Sequence, residues 1–208
     1  MLGADGYEGL WTGAVPWTAP RVTETLNTYK RLLSYTNSDY AGLTWDQAND
    51  LVISGKAGMI IMGDWTAGDY RAKKFTDFGW TTTPGTQGIY DALSDTFGLP
   101  RRAKDLEQAK NWLRLIGTPE AQDAFNPHKG SVPVNVHAGK GNYDPYLRSA
   151  IQDWKTHRVV PSLAHGAAAS EGWTTAITDV MTAFVSRQDV ASAQAALQQA
   201  CVDARVCK

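Results

Sequence analysis

The sequence predicts an α/β fold, and three observations carry that prediction. Residues 59–62, Met-Ile-Ile-Met, form a short apolar run that stops at Gly63, as a buried strand does on reaching the C-terminal edge of a sheet. Asp64 follows as a helix cap, and Trp65, Tyr70, Arg71, Lys73 and Lys74 come behind it at helical density. Along the rest of the chain short extended runs alternate with amphipathic helices. In open α/β sheets ligands lie outside the carboxyl ends of the strands, so an indole just past such an end is placed to act as a binding platform. The plainer reading is that Trp65 is a core residue at a helix start.

Taken in order, residues 1–19 hold Gly3, Gly6, Gly9, Gly13 and Pro16 around Trp11 and Trp17, and read as irregular or short-element territory. From Pro20 to Tyr35 the apolar positions Val22, Leu26, Tyr29, Leu32 and Leu33 recur at three and four, giving an amphipathic helix with proline near its start. A short helix runs from its cap Thr44 through Trp45, Ala48, Leu51 and Val52 to Gly55 and leads into the strand at residue 57. After the helix bearing Trp65, residues 78–82 read as a strand closed by a turn at Pro84 and Gly85. Residues 92–99 read as another, in which Ser94, Asp95 and Thr96 interrupt an apolar pattern. A carboxylate in a strand that should be buried needs partners, so Asp95 is either paired inside the protein or reserved for a ligand.

Residues 100–104 open a long helix with Leu106, Ala109, Trp112, Leu113 and Ile116 on one face, stopped by Gly117. Thr118, Pro119 and Glu120 begin the next with a cap, a first-position proline and a first-turn acid. That helix is expected to end near residues 125–127, leaving 128–133 as a loop whose path Gly130 and Pro133 fix. Helices follow at 145–158 and 172–186, with residues 160–166 between them, and a last one runs from Asp189 through Ala200. No internal repeat or low-complexity tract interrupts this order.

Composition narrows the function. Of 208 residues 43% are hydrophobic and 20% charged, ordinary values for a globular protein. Net charge is −1 and no run of lysine and arginine exceeds two residues, so nucleic acid and anionic membranes are not expected partners. Eight Trp and eight Tyr against five Phe favour aromatics with a polar handle, which hints at sugar. No segment approaches the roughly 18 apolar residues of a membrane span. Residues 1–5 lack a signal peptide's basic and apolar regions, so either the protein is cytosolic or an export signal has been removed. Cys201 and Cys207 lack the neighbours of a zinc site, and no metal or cofactor is expected. In one unbroken helix their Cα atoms would be roughly 9 Å apart, beyond the approximately 7 Å reach of a disulfide, so a bond requires the helix to end between them. No nucleophile elbow, zinc-protease motif or phosphate-binding glycine loop appears. Asp64 with Asp95 is the one carboxylate pair to consider for a glycoside-active enzyme.

The stretches AGMIIMGDWTAGDY (57–70), LSDTFGLPRRAKDLEQAKNWLRLIGTPEAQDAFNPHKGSVPVN (93–135) and VVPSLAHGAA (159–168), with a terminal amphipathic helix, resemble the C-terminal half of the extracellular sugar-binding proteins of ABC importers. Glucose- and mannose-binding proteins are the nearest resemblance, within the wider group that includes the maltose-binding protein. The resemblance implies a periplasmic-binding-protein type II-like two-lobe fold that is incomplete here. Residues 1–90 would belong to the C-terminal lobe, 91–134 to a return into the N-terminal lobe, and 135–208 to the helices of the C-terminal lobe. It implies a monosaccharide such as glucose or mannose in an interlobe cleft, contacted by Trp65, Asp95, Lys129 and His165.

It implies as partners a membrane permease and a separate N-terminal half, and a periplasmic or lipid-anchored extracellular location for the parent protein. Export would in turn favour a disulfide between the two thiols. The chemistry agrees: an indole packs on the C–H face of a hexose, a carboxylate accepts its hydroxyls, and Lys129 and His165 add donors and acceptors. Singly, each residue has a plainer role: Asp95 as an ion-pair partner, Lys129 as a solvated loop charge, His165 as a cap. A glycoside-active enzyme and a structural module with an all-core aromatic set are the alternatives.

Overall fold

The computed structural model describes residues 2–207, which form two compact units. The first takes the chain up to Ser38, Pro84–Leu93, and everything from Arg158 on. Its helices are α1 (Gly3–Thr12), α2 (Pro20–Leu33), α8 (Glu171–Arg187) and α9 (Val190–Asp203). Its parallel strands are β1 (Ile89–Ala92) and β2 (Arg158–Pro161), with Ile89 opposite Arg158 and Asp91 opposite Val160. The helices bury Leu10, Trp17, Val22, Leu26, Trp173, Ile177, Phe184 and Leu197 in one core. Trp17 meets Trp173 edge to face. Gln198 on α9 accepts from the Trp17 backbone N–H at 3.0 Å and Gln194 donates to the Trp17 carbonyl at 2.8 Å, so α9 holds the link between α1 and α2 by its backbone.

The second unit takes Asp39–Thr83 and Ser94–His157. It holds α3 (Trp45–Ile53), α4 (Trp65–Ala72), α5 (Leu106–Ile116), α6 (Pro119–Lys129) and α7 (Pro145–Thr156). Ala67, Tyr70, Tyr143, Leu147 and Ala150 are its buried apolar residues, together with polar Asn49, Thr66, Gln122 and Asn126. Asn49 is fully buried and donates to Asp69 at 2.9 Å, so a buried amide is satisfied across α3 and α4.

Where the sequence carries local end signals, the helices fall as expected. The side chains of Asp105, Thr118, Asp144 and Asp189 each accept from a backbone N–H in the first turn of α5, α6, α7 and α9. Gln47 returns a bond to the Thr44 backbone N–H at the start of α3. Of the two readings of residues 1–19, irregular chain or short element, residues 3–12 take the second as a helix, because the helix cost of Gly3, Gly6 and Gly9 is offset by burial of Leu10 and Gly13 ends the turn in the left-handed region. Two expectations need correction.

The helix α6 continues past residue 127 to Lys129. Pro127 removes one backbone bond, but the Asn126 side chain donates to the Gln122 carbonyl and accepts from Ser131, which holds the last turn.

The strands are the second correction. Residues 59–62, 78–82 and 93–99 belong to no helix or strand, and the strands are 89–92 and 158–161, the second with no counterpart among the expected ones. A strand exists only by pairing, and among the described residues no segment lies alongside 59–62. Met59 and Ile61 are 85% and 71% exposed, so the apolar run is not a buried edge.

Cys201 and Cys207 are bonded, with their Cα atoms 5.2 Å apart, because α9 ends at Asp203 between them. The closed loop sets the Val206 carbonyl so tightly over Gly13 that a Cβ there would sit 2.2 Å from its oxygen. Replacing both cysteines by serine should cost about 2 kcal/mol, the chain entropy of so short a loop. Urea unfolding of the oxidised protein and the double variant measures it. Equal midpoints would leave the bond without a stabilising role.

Candidate functional site

In the second unit the site is built where the start of α4 crosses the end of α6. Gly63 has no side chain, and the Trp65 ring folds back over it: a Cβ at Gly63 would fall 2.2 Å from the indole. One turn later Gly68 lets the α4 backbone meet the end of α6, where a Cβ would lie 2.7 Å from the Lys129 carbonyl oxygen. Gly130, left-handed with φ 79°, is in reciprocal contact with the Gly68 N and the Asp64 carbonyl. Two glycines therefore bring Lys129 beside the turn that carries Trp65.

Lys129 Nζ pairs with the Asp95 carboxylate at 3.2 Å. Both side chains remain open, Asp95 at 67% and Lys129 at 38%, so the pair is worth less than about 1 kcal/mol and either member can exchange partners at little cost. The ion pair is the plainer reading of Asp95, and Lys129 is its partner. Trp65 is half-buried, neither a fully enclosed core residue nor a free surface ring. Three of the four expected contacts thus lie in one unit. Asp64 does not cap α4 with its side chain. Its carboxylate accepts from the Tyr146 hydroxyl, whose ring meets Trp80 edge to face.

His165 lies in the first unit, exposed, in the turn after β2. Two bonds hold this turn: the Tyr7 hydroxyl donates to the Pro161 carbonyl at 3.0 Å and accepts from the Leu163 N–H at 2.9 Å. Ser162 Oγ stands 3.1 Å from His165 Nδ1. The Asp91 carboxyl, on β1, is pushed above the ordinary range by burial against the opposing pull of Ser162 and His165. Burial likewise raises the Tyr7 phenol. Asp91, Ser162, Tyr7, Trp11, Tyr29 and Met181 are among the walls of a cavity of about 450 Å³ in this unit.

Sequence reading does not single out Asp91 or Ser162. The one signal is the apolar Val159-Val160 run ending in a serine, a strand end with a hydroxyl. A cavity of about 520 Å³ in the second unit is lined by Gly68, Arg71, Asp123, His128, Asn142 and Asp144, not by the expected contacts. Among the described residues no group of three His, Cys, Asp or Glu side chains could hold a metal ion.

Comparison with known proteins places these features. Residues 1–123 match the family described as bacterial extracellular solute-binding protein. An uncharacterized ABC transporter extracellular-binding protein of Pyrococcus horikoshii is 37% identical over 193 residues, 90% of this chain and 43% of the relative. The xylose/arabinose-binding protein XacG of Haloferax volcanii is 31% identical over 155 residues, 72% of this chain and 34% of the relative. In three dimensions the chain resembles the bacterial solute receptor AcbH, whose structure is described as having an exclusive preference for β-D-galactopyranose. The TM-score is 0.82 at 23% identity, over 94% of this chain and 53% of that one. The chain spans less than half the length of these curated relatives.

Proposed function

We propose, from the premise that this chain belongs to the bacterial extracellular solute-binding protein family, that it is part of the sugar-binding component of an ABC importer. The observation that carries the reading is the open Asp95–Lys129 ion pair beside the turn bearing Trp65. A pyranose presents an apolar C–H face and a rim of hydroxyls. The indole packs on the face, Asp95 accepts from the rim, and Lys129 donates to it. Charge-assisted bonds of this kind orient a neutral ligand without needing a net charge on it. The resemblance of residues 159–168 adds His165 as a fourth contact.

The ligand is a monosaccharide, with glucose or mannose supported by the resemblance of residues 57–70 and 93–135. The names of the relatives, a xylose/arabinose binder and a galactopyranose receptor among them, support the class of ligand and leave the hydroxyl pattern to experiment. The same reading makes a membrane permease the partner and an exported location the setting. The Cys201–Cys207 bond is consistent with that setting, since oxidising compartments preserve disulfides. The role is binding without turnover, as in the relatives named. Incubation with aryl glycosides should release no aglycone.

Replacing Trp65 with alanine tests the site. Loss of its stacking and apolar contact should weaken sugar binding by about 1–2 kcal/mol, roughly tenfold, with the unfolding transition still cooperative. Calorimetry on the longer protein that contains this chain, with glucose, mannose, galactose, xylose and arabinose, is the measurement. Unchanged affinity for every sugar bound would return Trp65 to a purely structural role.

A further inference from the structure

The last turn of α6 carries Lys129 and is, by sequence, the weakest part of that helix. Pro127 has no N–H, so the backbone bond that would run back to the Asp123 carbonyl is missing two residues before Lys129. Two buried side-chain amides, Gln122 and Asn126, hold the turn instead. Asn126 Nδ2 donates to the Gln122 carbonyl at 2.9 Å and to Gln122 Oε1 at 3.0 Å, and Asn126 Oδ1 accepts from the Ser131 hydroxyl at 2.7 Å. Gln122 Nε2 donates to the Ile116 carbonyl at 2.8 Å, and Gln122 Oε1 also accepts from the Val134 N–H at 3.2 Å. The end of α5, the body of α6 and residues 131–134 are thus tied to one pair of amides. Leucine at 122 or 126 would bury apolar surface as well, but would leave these backbone and hydroxyl groups without the partners they have here. The pair therefore fixes the path of the chain after Pro127, and Lys129 lies between two of the points it holds, Asn126 and Ser131.

We propose that Gln122, Asn126 and Ser131 are positioning residues for Lys129, holding the turn that sets its ammonium beside Asp95 and its carbonyl against Gly68. The Lys129–Asp95 pair does not fix the turn, because both side chains are open to solvent and exchange partners easily. Gly68 and Gly130 permit the close crossing of α4 and α6, but a glycine admits several backbone paths and selects none. The direction comes from the residue directly after Gly130, where the Ser131 hydroxyl and the Ser131 N–H both return to Asn126, the N–H to its carbonyl at 3.1 Å. All of these bonds lie within one unit. Their effect on a sugar rests on the function proposed above.

The first arm of the test needs no sugar. Amide hydrogen exchange on the full 208-residue chain reads the Gly130 and Ser131 N–H groups, both of which donate to the Asn126 carbonyl. In N126A and in S131A these two amides should exchange at least about tenfold faster than in wild type, as a locally loosened turn does. S131T keeps the hydroxyl and should keep the wild-type rate. The second arm is a double-mutant cycle, read by calorimetry on the longer protein that contains this chain, with glucose, mannose, galactose, xylose and arabinose. N126A should weaken binding of the sugars that wild type binds by about fivefold or more while Lys129 is present, and by less than about twofold in a K129M background. A residue that acts through Lys129 has nothing to position once the ammonium is gone. Wild-type exchange at Gly130 and Ser131 in either variant, or equal weakening with and without Lys129, overturns the proposal. S131A, at a half-buried position outside the helix, carries both arms if N126A does not fold. Absence of sugar binding by the wild-type protein would count against the proposed function, and the exchange arm would still decide the positioning.

Discussion

Gly130→Ala is expected to destabilise the second unit by about 2–4 kcal/mol, the largest single-residue effect outside the apolar cores. The left-handed conformation at φ 79° costs an alanine about 1–2 kcal/mol. The added methyl would also stand 2.7 Å from the Gly68 N and 3.0 Å from the Asp64 carbonyl oxygen. Both are backbone atoms and cannot turn aside as a side-chain tip can, so α4 and α6 must separate, an overpacking cost of about 1–3 kcal/mol. Gly68→Ala meets the Lys129 carbonyl oxygen at 2.7 Å from the other side and should act in the same direction without the left-handed penalty. Urea unfolding followed by tryptophan fluorescence measures both. If Gly130→Ala unfolds at the wild-type midpoint, the close crossing of α4 and α6 is not what holds this region.

The functional side of the same crossing follows from its geometry. Lys129 is the residue before Gly130, and its carbonyl is the atom Gly68 makes room for. Any separation of the helices moves the ammonium away from the turn of Trp65. A Gly130→Ala protein that still folds should therefore bind sugar more weakly, although Gly130 offers no side chain to a ligand.

How far the fold is legible in the sequence depends on how local each determinant is. Caps act within four residues, so Thr118 with Pro119, and Asp189, mark the starts of α6 and α9 by residue type alone. Strands depend on a partner that a local pattern does not reveal. Met59-Ile60-Ile61-Met62 reads as a buried strand, yet Met59 and Ile61 are exposed and outside any ladder, whereas β1 and β2 are short and joined across the whole intervening chain. The α1 glycines leave irregular chain and short element both open, because the burial of Leu10 that holds the helix is a tertiary effect.

The same distinction runs through the site. Asp95 and Lys129 are marked in the sequence by resemblance, and only the fold reveals that they pair with each other. Asp91 and Ser162 carry no motif. They are neighbours through strand register, which spacing in the sequence does not encode.

The chain by itself is expected to bind monosaccharides at least about 100-fold more weakly than the longer protein, a difference of about 2.8 kcal/mol. The second unit leaves several large apolar side chains in the open. The helix α5 buries none of its residues, although Leu106, Leu113 and Ile116 mark one face as apolar, and Trp112 and Leu115 are 48% and 60% exposed. Phe97 packs edge to face on Trp112 and on Phe125, and all three rings stay open to solvent. Residues 93–99, which carry Phe97, belong to no helix or strand.

On the proposed function, the part of such a protein that this chain does not match, more than half of the Pyrococcus horikoshii relative, supplies that cover and further walls for the ligand. A sugar touched by one open ion pair and one indole retains most of its water. Enclosure removes that water and strengthens each remaining hydrogen bond.

The measurement is a titration of glucose, mannose, galactose, xylose and arabinose into the 208-residue chain, into the longer protein, and into a mixture of the chain with the separately produced N-terminal half, followed by tryptophan fluorescence. Recovery of affinity in the mixture, together with loss of the exposed apolar surface reported by a hydrophobic dye, is the expected result. Micromolar binding by the chain alone as a monomer would mean that these 208 residues complete a site without a second half, and that the open face of α5 serves something other than its own protein.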